Sequence, residues 1–149
     1  MRAVVQRVER AAVRVGGETV AAIGRGFLVL AGVFDYDRED DVAWMAKRIA
    51  QLRIFPDSEG KMNLSPLDLG AEILLVSQFT LCANIRKGNR PSFTPAMAPE
   101  PAAELINRLA QAIQAFGLTV STGVFGAFME VELVNEGPVT ILLDSREFR

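Results

Sequence analysis

Two stretches of the chain lack the alternation of apolar and polar residues that a half-exposed strand would show. Residues 27–33 (FLVLAGV) are apolar throughout, and residues 72–81 (EILLVSQFTL) are apolar in their first part and polar at their end. A continuous apolar run of this length is typical of a buried strand, and it is too short to span a bilayer. We therefore expect both stretches to be strands at the centre of the fold.

Shorter segments predict the other strands. Apolar and β-branched residues bounded by turn formers are typical of strands, and the pair Gly16-Gly17 is typical of a hairpin turn. We expect these strands at residues 3–8, 13–15, 19–23, 118–122, 127–134 and 139–143.

Two segments repeat apolar residues at helical spacing. The first helix is expected to have Asp37 as its N-cap and to run through Ile49 towards Arg53. The second is expected from about residue 100 to residue 116, with Gly117 ending it. Turn formers predict a surface loop at 56–71 and a basic loop at 84–99.

The predicted element order is β-β-β-α-β-α-β-β-β, which indicates an α/β fold with helices packed on a mixed sheet. A length of 149 residues fits a single domain, 1–149, in which 144–149 form a polar C-terminal tail. A domain of this size buries roughly 70% of its unfolded surface and needs no disulfide. The single cysteine, Cys82, and the lack of an opening signal peptide predict a cytoplasmic protein.

The composition excludes several classes of active site. The chain has no histidine, which removes Ser-His-Asp and Cys-His nucleophilic sites and most catalytic zinc sites. A net charge of −2 argues against a broad nucleic-acid-binding surface, although a local basic patch stays open. Any catalysis must therefore use other groups.

The polar end of the second apolar stretch is the first candidate site. Ser77, Gln78, Phe79 and Thr80 lie where a strand emerges into a loop, a position that α/β folds often use for binding. With no histidine to act as base, the hydroxyls fit hydrogen bonding better than nucleophilic attack, and backbone N–H groups near Phe79 could form an oxyanion hole. The plain alternative is a core strand that ends in solvent.

Three further segments are ambiguous between function and structure. Arg86, Lys87 and Arg90, followed by an aromatic ring, could grip phosphates or simply be solvated. Cys82 could be a nucleophile, but a buried small hydrophobic side chain fits its position better. Phe125 and Met129 could sandwich a purine or pack in the core.

The final ambiguous segment is Gly137-Pro138, which stands between two predicted strands. Proline donates no backbone hydrogen bond and is normally absent from central sheet positions. The pair is therefore expected at a hairpin tip, and the base rate for X-Pro bonds favours a trans peptide there.

Taken together, these segments resemble the D-aminoacyl-tRNA deacylases (the D-tyrosyl-tRNA deacylase family) over residues 1–143. The chain departs mildly from the family at Glu136, where aspartate is frequent, and at Cys82, where a small residue is usual. The matching stretches are QRV at 6–8, RIFPDSEGKMNLS at 53–65, VSQFTL at 76–81, RPSF at 90–93 and LVNEGPVTILL at 133–143.

The resemblance implies a homodimeric hydrolase that proofreads translation. It would cleave the ester between a D-amino acid and the 3′ adenosine of tRNA, and also glycine mischarged on a tRNA for alanine, with no cofactor or metal. Residues 77–80 would line one wall of the active site. Gly137-Pro138, with its peptide bond in cis, would reach in from the partner subunit and exclude L-amino acids, with Arg7 beneath it as support.

The resemblance also assigns the remaining candidates. Phe125 and Met129 become walls for the terminal adenine, and Arg86, Lys87 and Arg90 become contacts for the tRNA stem. Three alternatives stay open: a relative with a trans Gly-Pro bond and relaxed chirality, a non-catalytic aminoacyl-tRNA-binding module, and a thiol enzyme at Cys82. Thr80 as a covalent nucleophile is a variant of the main hypothesis.

Overall fold

The computed structural model describes residues 1–147. Its strands are β1 (Arg2–Val15), β2 (Glu18–Ile23), β3 (Gly26–Gly32), β4 (Phe55–Pro56), β5 (Met62–Leu64), β6 (Glu72–Ser77), β7 (Val120–Thr122) and β8 (Glu130–Asp144). Its helices are α1 (Glu39–Gln51), α2 (Pro66–Leu69) and α3 (Pro99–Gln114), and a 3₁₀ turn (Phe79–Cys82) follows β6.

The main sheet is mixed, which confirms the predicted α/β class. Its strand order is β2-β1-β3-β6-β7, and β8 pairs with β1. The β3–β6 and β6–β7 pairs are parallel, whereas β1 pairs antiparallel with β2, β3 and β8. Strands β4 and β5 form a separate small antiparallel pair. No helix of the described residues is both long and apolar enough to cross a membrane.

The two continuous apolar runs are explained by burial of β3 and β6 on both faces. Phe27 and Ile73 point into a core shared with α1 and α3, while Leu28 and Leu74 point into a second cluster on the opposite face. All four side chains are almost completely buried. Strands with neighbours on both sides and cover on both faces have no need of alternating polar residues.

In two places, two consecutive predicted strands belong to one long strand in the structure. Residues 3–8 and 13–15 both belong to β1, and residues 127–134 and 139–143 fall largely within β8. The polar residues between them interrupt the apolar pattern without ending the pairing. The predicted strand at 72–81 is instead shorter than expected, because the chain turns into the 3₁₀ helix after Ser77.

The prediction of a hairpin tip at Gly137-Pro138 is wrong. Val8 pairs with Asn135 and Gln6 pairs with Thr140, so residues 136–139 face a single residue of β1, and the chain keeps its direction. We call residues 136–139 the Gly-Pro bulge. A bulge takes surplus residues out of the ladder, so the proline needs no ladder partner.

The N-cap of α1 is Arg38 and not Asp37. The Asp37 carboxylate is buried and occupied elsewhere, because it accepts a hydrogen bond from the Phe34 N–H at 2.7 Å and pairs with the amino group of Met1. Asp41 takes over the capping role by accepting the Arg38 N–H at 2.8 Å.

The other differences concern element ends. The first helix stops at Gln51, short of Arg53, and the second spans 99–114, with Gly117 following at a φ of +97°. The predicted loop at 56–71 contains β5 and α2, whose capping box was not recognised in the sequence. Of the predicted tail, Asp144 ends β8 and Ser145 is buried, whereas 148–149 lie outside the described residues.

Candidate active site

The chain turns sharply over β3 at the end of β6. The Gln78 N–H donates to the Ala31 carbonyl at 2.8 Å, which continues the ladder by one bond. Gly32 lets the turn pass closely, because a Cβ atom there would lie 2.9 Å from the Gln78 carbonyl oxygen. The close approach directs Phe79 outwards, and its side chain is 58% exposed.

The 3₁₀ turn begins with two unpaired backbone donors. The first N–H of the turn to bond back is that of Leu81, which donates to the Gln78 carbonyl at 3.2 Å. Across residues 1–147, neither the Phe79 N–H nor the Thr80 N–H has a hydrogen-bond acceptor. Free N–H groups at the start of a helical turn are suited to bind a negatively charged oxygen.

A cavity of about 600 Å³ opens beside this turn, at the carboxyl ends of the parallel strands β3 and β6. Clefts at this edge of a sheet are a common place for ligands in α/β folds. Its lining, as far as the chain is described, contains no ionisable side chain. The lining residues are Ala31, Val33, Val76, Ser77, Gln78, Phe79, Phe93, Ala96, Met97, Ala98, Pro99, Ala102, Ile106, Phe125, Gly126, Ala127, Phe128, Met129 and Val131.

Aromatic and thioether groups form the walls of the cavity. The rings of Phe79 and Phe93 meet edge to face, with 5.0 Å between their centroids. The Met129 side chain lies across Gly123, where a Cβ atom would come within 2.7 Å of its sulfur. Phe125 is 41% exposed at the same cavity. Planar apolar groups of this kind are suited to stack against a nucleobase.

The Asn135 side chain bridges the two ends of the Gly-Pro bulge. Its Oδ1 accepts the Val139 N–H at 2.7 Å, and its Nδ2 donates to the Val139 carbonyl at 3.2 Å. One side chain thus replaces the missing backbone pairing across the bulge. Gly137 has a φ of +142° and is exposed together with Pro138. Their peptide bond is cis, so the trans bond that the base rate favoured is wrong.

Arg7 lies against the bulge and is buried. Its Nε donates to the Glu136 carbonyl at 3.0 Å, and its Nη1 donates to the Ile54 carbonyl at 2.7 Å. The guanidinium therefore links the bulge to the segment before β4 through two backbone oxygens, and an added Cβ on Gly137 would lie 3.4 Å from its Nη2.

The structure brings some of the predicted site residues together and leaves others apart. Ser77, Gln78, Phe79, Phe125 and Met129 line one cavity. Thr80 is exposed just beyond it, and its hydroxyl accepts a hydrogen bond from the Gln78 side-chain amide. The residues that do not line this cavity are Gly137, Pro138, Arg7, Arg86, Lys87 and Arg90.

The basic residues lie on an exposed loop. Asn84 and Ser92 pair through two backbone hydrogen bonds of 2.8 and 2.9 Å and close its base. Arg86, Lys87 and Arg90 are all exposed between these two residues, on the segment that leads from the 3₁₀ turn to Phe93. They are thus connected to the cavity by short stretches of chain at both ends.

The thiol-enzyme alternative is contradicted by the surroundings of Cys82. Its side chain is 1% exposed, and its Sγ donates to the Val33 carbonyl at 3.4 Å. Burial raises the pKa of the thiol to about 11, with nearby acidic groups adding to the effect. A thiol that stays protonated at neutral pH and meets no solvent is not a nucleophile.

Two side chains at these sites were missed by sequence reasoning. Asn135 had a usable signal, because an asparagine beside turn formers often hydrogen-bonds to nearby backbone. Phe128, which lines the cavity and is 89% exposed, had none, because its segment reads as an ordinary apolar alternation. Among residues 1–147, no three His, Cys, Asp or Glu side chains are grouped so as to hold a metal ion.

Comparison with known proteins gives a consistent family. The D-Tyr-tRNA(Tyr) deacylase family model matches residues 4–144. A D-aminoacyl-tRNA deacylase of Chloroflexus aurantiacus is 58% identical over 149 residues, covering 100% of this chain and 93% of the relative. A D-aminoacyl-tRNA deacylase of Thermoanaerobacter pseudethanolicus is 55% identical over 147 residues, covering 99% of each.

A solved structure described as c-Myc DNA Unwinding Element Binding Protein has nearly the same fold. It superposes with a TM-score of 0.91 at 44% sequence identity, covering 97% of this chain and 98% of that one.

Proposed function

The chain belongs to the D-Tyr-tRNA(Tyr) deacylase family and is a hydrolase of the ester bond of D-aminoacyl-tRNA, and we propose that the cavity beside the 3₁₀ turn binds the aminoacyl-adenosine end of this substrate. The observation that carries the proposal is the pair of free N–H groups of Phe79 and Thr80 next to this apolar cavity. Donors of this kind stabilise the oxyanion that forms when an ester carbonyl is attacked.

The reaction proceeds without a side-chain base in the cavity. An aminoacyl ester is already activated, so holding it in place and stabilising the oxyanion supply much of what catalysis needs. Water attacks the ester carbonyl carbon, the bond from that carbon to the ribose oxygen breaks, and the ribose oxygen takes up a proton. The 2′-hydroxyl of the terminal ribose helps to place the water.

The remaining cavity residues bind the nucleoside. The terminal adenine fits between Phe125 and Met129, whose ring and thioether line the cavity. Arg86, Lys87 and Arg90, on their exposed loop, contact phosphates further along the tRNA. Few such contacts suffice for an enzyme that grips only the end of the tRNA, which agrees with a net charge of −2.

Selection against L-amino acids requires a second copy of the chain. Gly137 and Pro138 are exposed and do not line the cavity of their own chain, so the bulge is free to reach the cavity of a partner. Within residues 1–147, β8 pairs only with β1, which leaves one edge of a long strand unpaired. Such an edge favours association with another copy, and a twofold dimer would supply each cavity with one bulge.

The bulge then selects by exclusion. Its backbone fills the space that an L side chain would need and directs carbonyl groups at the substrate's α-amino group, while a D side chain points towards solvent. The site therefore accepts many D-amino acids. Glycine has no side chain to exclude, so glycine mischarged on a tRNA for alanine is also a substrate.

These substrates place the enzyme in the cytoplasm, where charged tRNA is used.

The test is the hydrolysis of matched D- and L-tyrosyl-tRNA by the purified protein, with and without a chelator. We expect loss of the D-ester only, at a rate that the chelator does not change. Cleavage of both esters would instead show a site with relaxed chirality. If neither ester is cleaved while the tRNA still binds, the non-catalytic binding module is the better account.

The similar structure that is described as a DNA-binding protein suggests a different activity. Domains that bind DNA broadly are usually strongly basic. This chain has 16 lysines and arginines against 18 acidic residues, so it lacks the charge for such a surface. The deacylase reaction is the function that its cavity supports best.

A further inference from the structure

Phe128 is the most exposed of the large hydrophobic residues in the described part of the chain. Its side chain is 89% exposed, compared with 58% for Phe79 and 41% for Phe125. All three rings line the cavity beside the 3₁₀ turn. Exposing a whole aromatic ring to water is unfavourable, so its place at the mouth of a binding cavity calls for an explanation other than packing.

The local backbone lifts Phe128 away from the core. The Ala127 N–H donates to the Val124 carbonyl at 3.2 Å, and Gly126 has a φ of +76°, which together define a turn before β8. After the turn, Met129 packs against the apolar cluster that contains Val76. Phe128 therefore lies at the rim, while the residue that follows it is part of the wall.

We propose that Phe128 stacks against the base that precedes the terminal adenosine of the tRNA, which makes it a substrate-binding residue outside the adenine pocket. The inference rests on the proposed function. If the terminal adenosine occupies the cavity, the next nucleotide lies at its mouth, and at the 3′ end of a tRNA that nucleotide is an unpaired cytidine. Unpaired bases stack on exposed aromatic rings whatever their identity.

The three exposed rings at this cavity favour a nucleic-acid occupant over a second copy of the chain. Aromatic side chains that rim a groove and remain open to solvent are typical of proteins that hold single-stranded nucleic acid. The unpaired edge of β8 already provides a surface for a second copy. The rim is also continuous with the proposed adenosine site, so one single-stranded segment can occupy both.

The experiment compares two substrates that differ in the nucleotide of interest. D-tyrosyl-tRNA contains the preceding cytidine, and D-tyrosyl-adenosine does not. For Phe128→Ala, we expect the ratio of KM for the tRNA to KM for the adenosine ester to rise about tenfold, since base stacking on an aromatic ring contributes on this order. Phe128→Trp should restore the ratio, because an indole also stacks.

Val124→Ala is the matched control. Val124 is 44% exposed in the same turn but does not line the cavity, so its replacement should leave the ratio unchanged. Light scattering of each variant reports the oligomeric state.

Three results would overturn the inference. KM rising equally for both substrates would mean that Phe128 shapes the adenosine site itself, and two unchanged KM values would mean that it binds no base. A loss of dimer in Phe128→Ala would identify a second copy of the chain as the occupant. Failure of the wild-type protein to cleave either substrate would count against the proposed function and not against the stacking position alone.

Discussion

Asn135 and Val139 define the bulge at the scale of single residues. Val139 is 7% exposed and packs in the main core, so the strand is anchored directly after Pro138. Asn135 anchors the other side by bonding both the N–H and the carbonyl of Val139. Between these anchors, a Cβ on Gly137 would lie 2.7 Å from the Val139 Cγ2, so only glycine fits without distortion.

Asn135→Ala should therefore loosen the bulge. The change leaves the N–H and carbonyl of Val139 without their side-chain partner, and an unpaired buried donor costs about 1–3 kcal/mol of folding free energy. We expect a loss of stability of this size in urea denaturation and a fall in the ratio of D- to L-tyrosyl-tRNA cleavage.

Asn84→Ala is the control for this change. The Asn84 side chain also bonds to local backbone, accepting the Arg86 N–H at 3.0 Å, but in an exposed loop where water can replace it. Equal effects of the two substitutions on the D/L ratio would show that the hydrogen bonds from Asn135 to Val139 have no special role in selectivity.

Cys82 should be dispensable for the reaction. Burial raises the pKa of its thiol to about 11, so the thiol is neutral through the physiological range and becomes a thiolate only as the pH approaches that value. The native protein should keep its activity after treatment with iodoacetamide at pH 7.5, and Cys82→Ala should retain wild-type kcat. Inactivation of the native protein by alkylation, with protection by substrate, would show that the thiol is part of the active site.

At the scale of elements, the sequence predicts those parts whose pattern is set locally. Helices α1 and α3 are recognisable from their helical spacing, and the buried strands β3 and β6 from their continuous apolar runs. The end of β6 is not, because the 3₁₀ turn depends on the close passage of residues 78–82 over Gly32. The course of β8 likewise depends on its long-range pairing with β1, so local turn formers suggested a reversal that does not occur.

The same distinction applies to the site. Residues 77–80 are predictable because polar side chains follow an apolar strand, and Phe125 and Met129 because a ring and a thioether can sandwich a purine. Their meeting in one cavity depends on the placement of β6, α3 and the segment before β8, which no local pattern encodes.

Gly32→Ala tests how the turn is held. The new Cβ would lie 2.9 Å from the Gln78 carbonyl oxygen and 3.0 Å from the Leu81 Cβ, so the turn must move outwards. Because the free N–H groups move with it, we expect kcat for D-tyrosyl-tRNA to fall at least about tenfold, and stability to fall by about 1–3 kcal/mol from overpacking. Steady-state kinetics and urea denaturation measure the two effects.

Gly24→Ala is the matched substitution for this test. Its nearest contact would be the flexible carboxylate of Glu72 at 3.4 Å, which is an ordinary distance. A Gly32→Ala protein with the kcat of Gly24→Ala would show that the position of the turn does not limit the reaction.

At the scale of the whole molecule, the two parts of the proposed site lie in different places in one chain. The cavity with its free N–H groups lies at the end of β6, and the Gly-Pro bulge lies in β8, outside the cavity lining. In the proposed dimer, the bulge of one chain would meet the cavity of the other, and each chain would need its partner to select its substrate.

Mixing two damaged variants tests this claim most directly. Phe79→Pro removes a proposed oxyanion donor, and Gly137→Val fills the space beside Val139 and disrupts the bulge. After both proteins are unfolded together and refolded, half of the dimers should be mixed, and one of the two sites in each should combine an intact cavity with an intact bulge. Because the bulge selects and the cavity catalyses, Gly137→Val alone should cleave both esters and Phe79→Pro neither. We predict that the mixture cleaves L-tyrosyl-tRNA at about a quarter of the rate of Gly137→Val alone, since only the Gly137→Val homodimers combine an intact cavity with a damaged bulge. A rate of about half, which is the average of the two variants, would contradict a site shared between subunits.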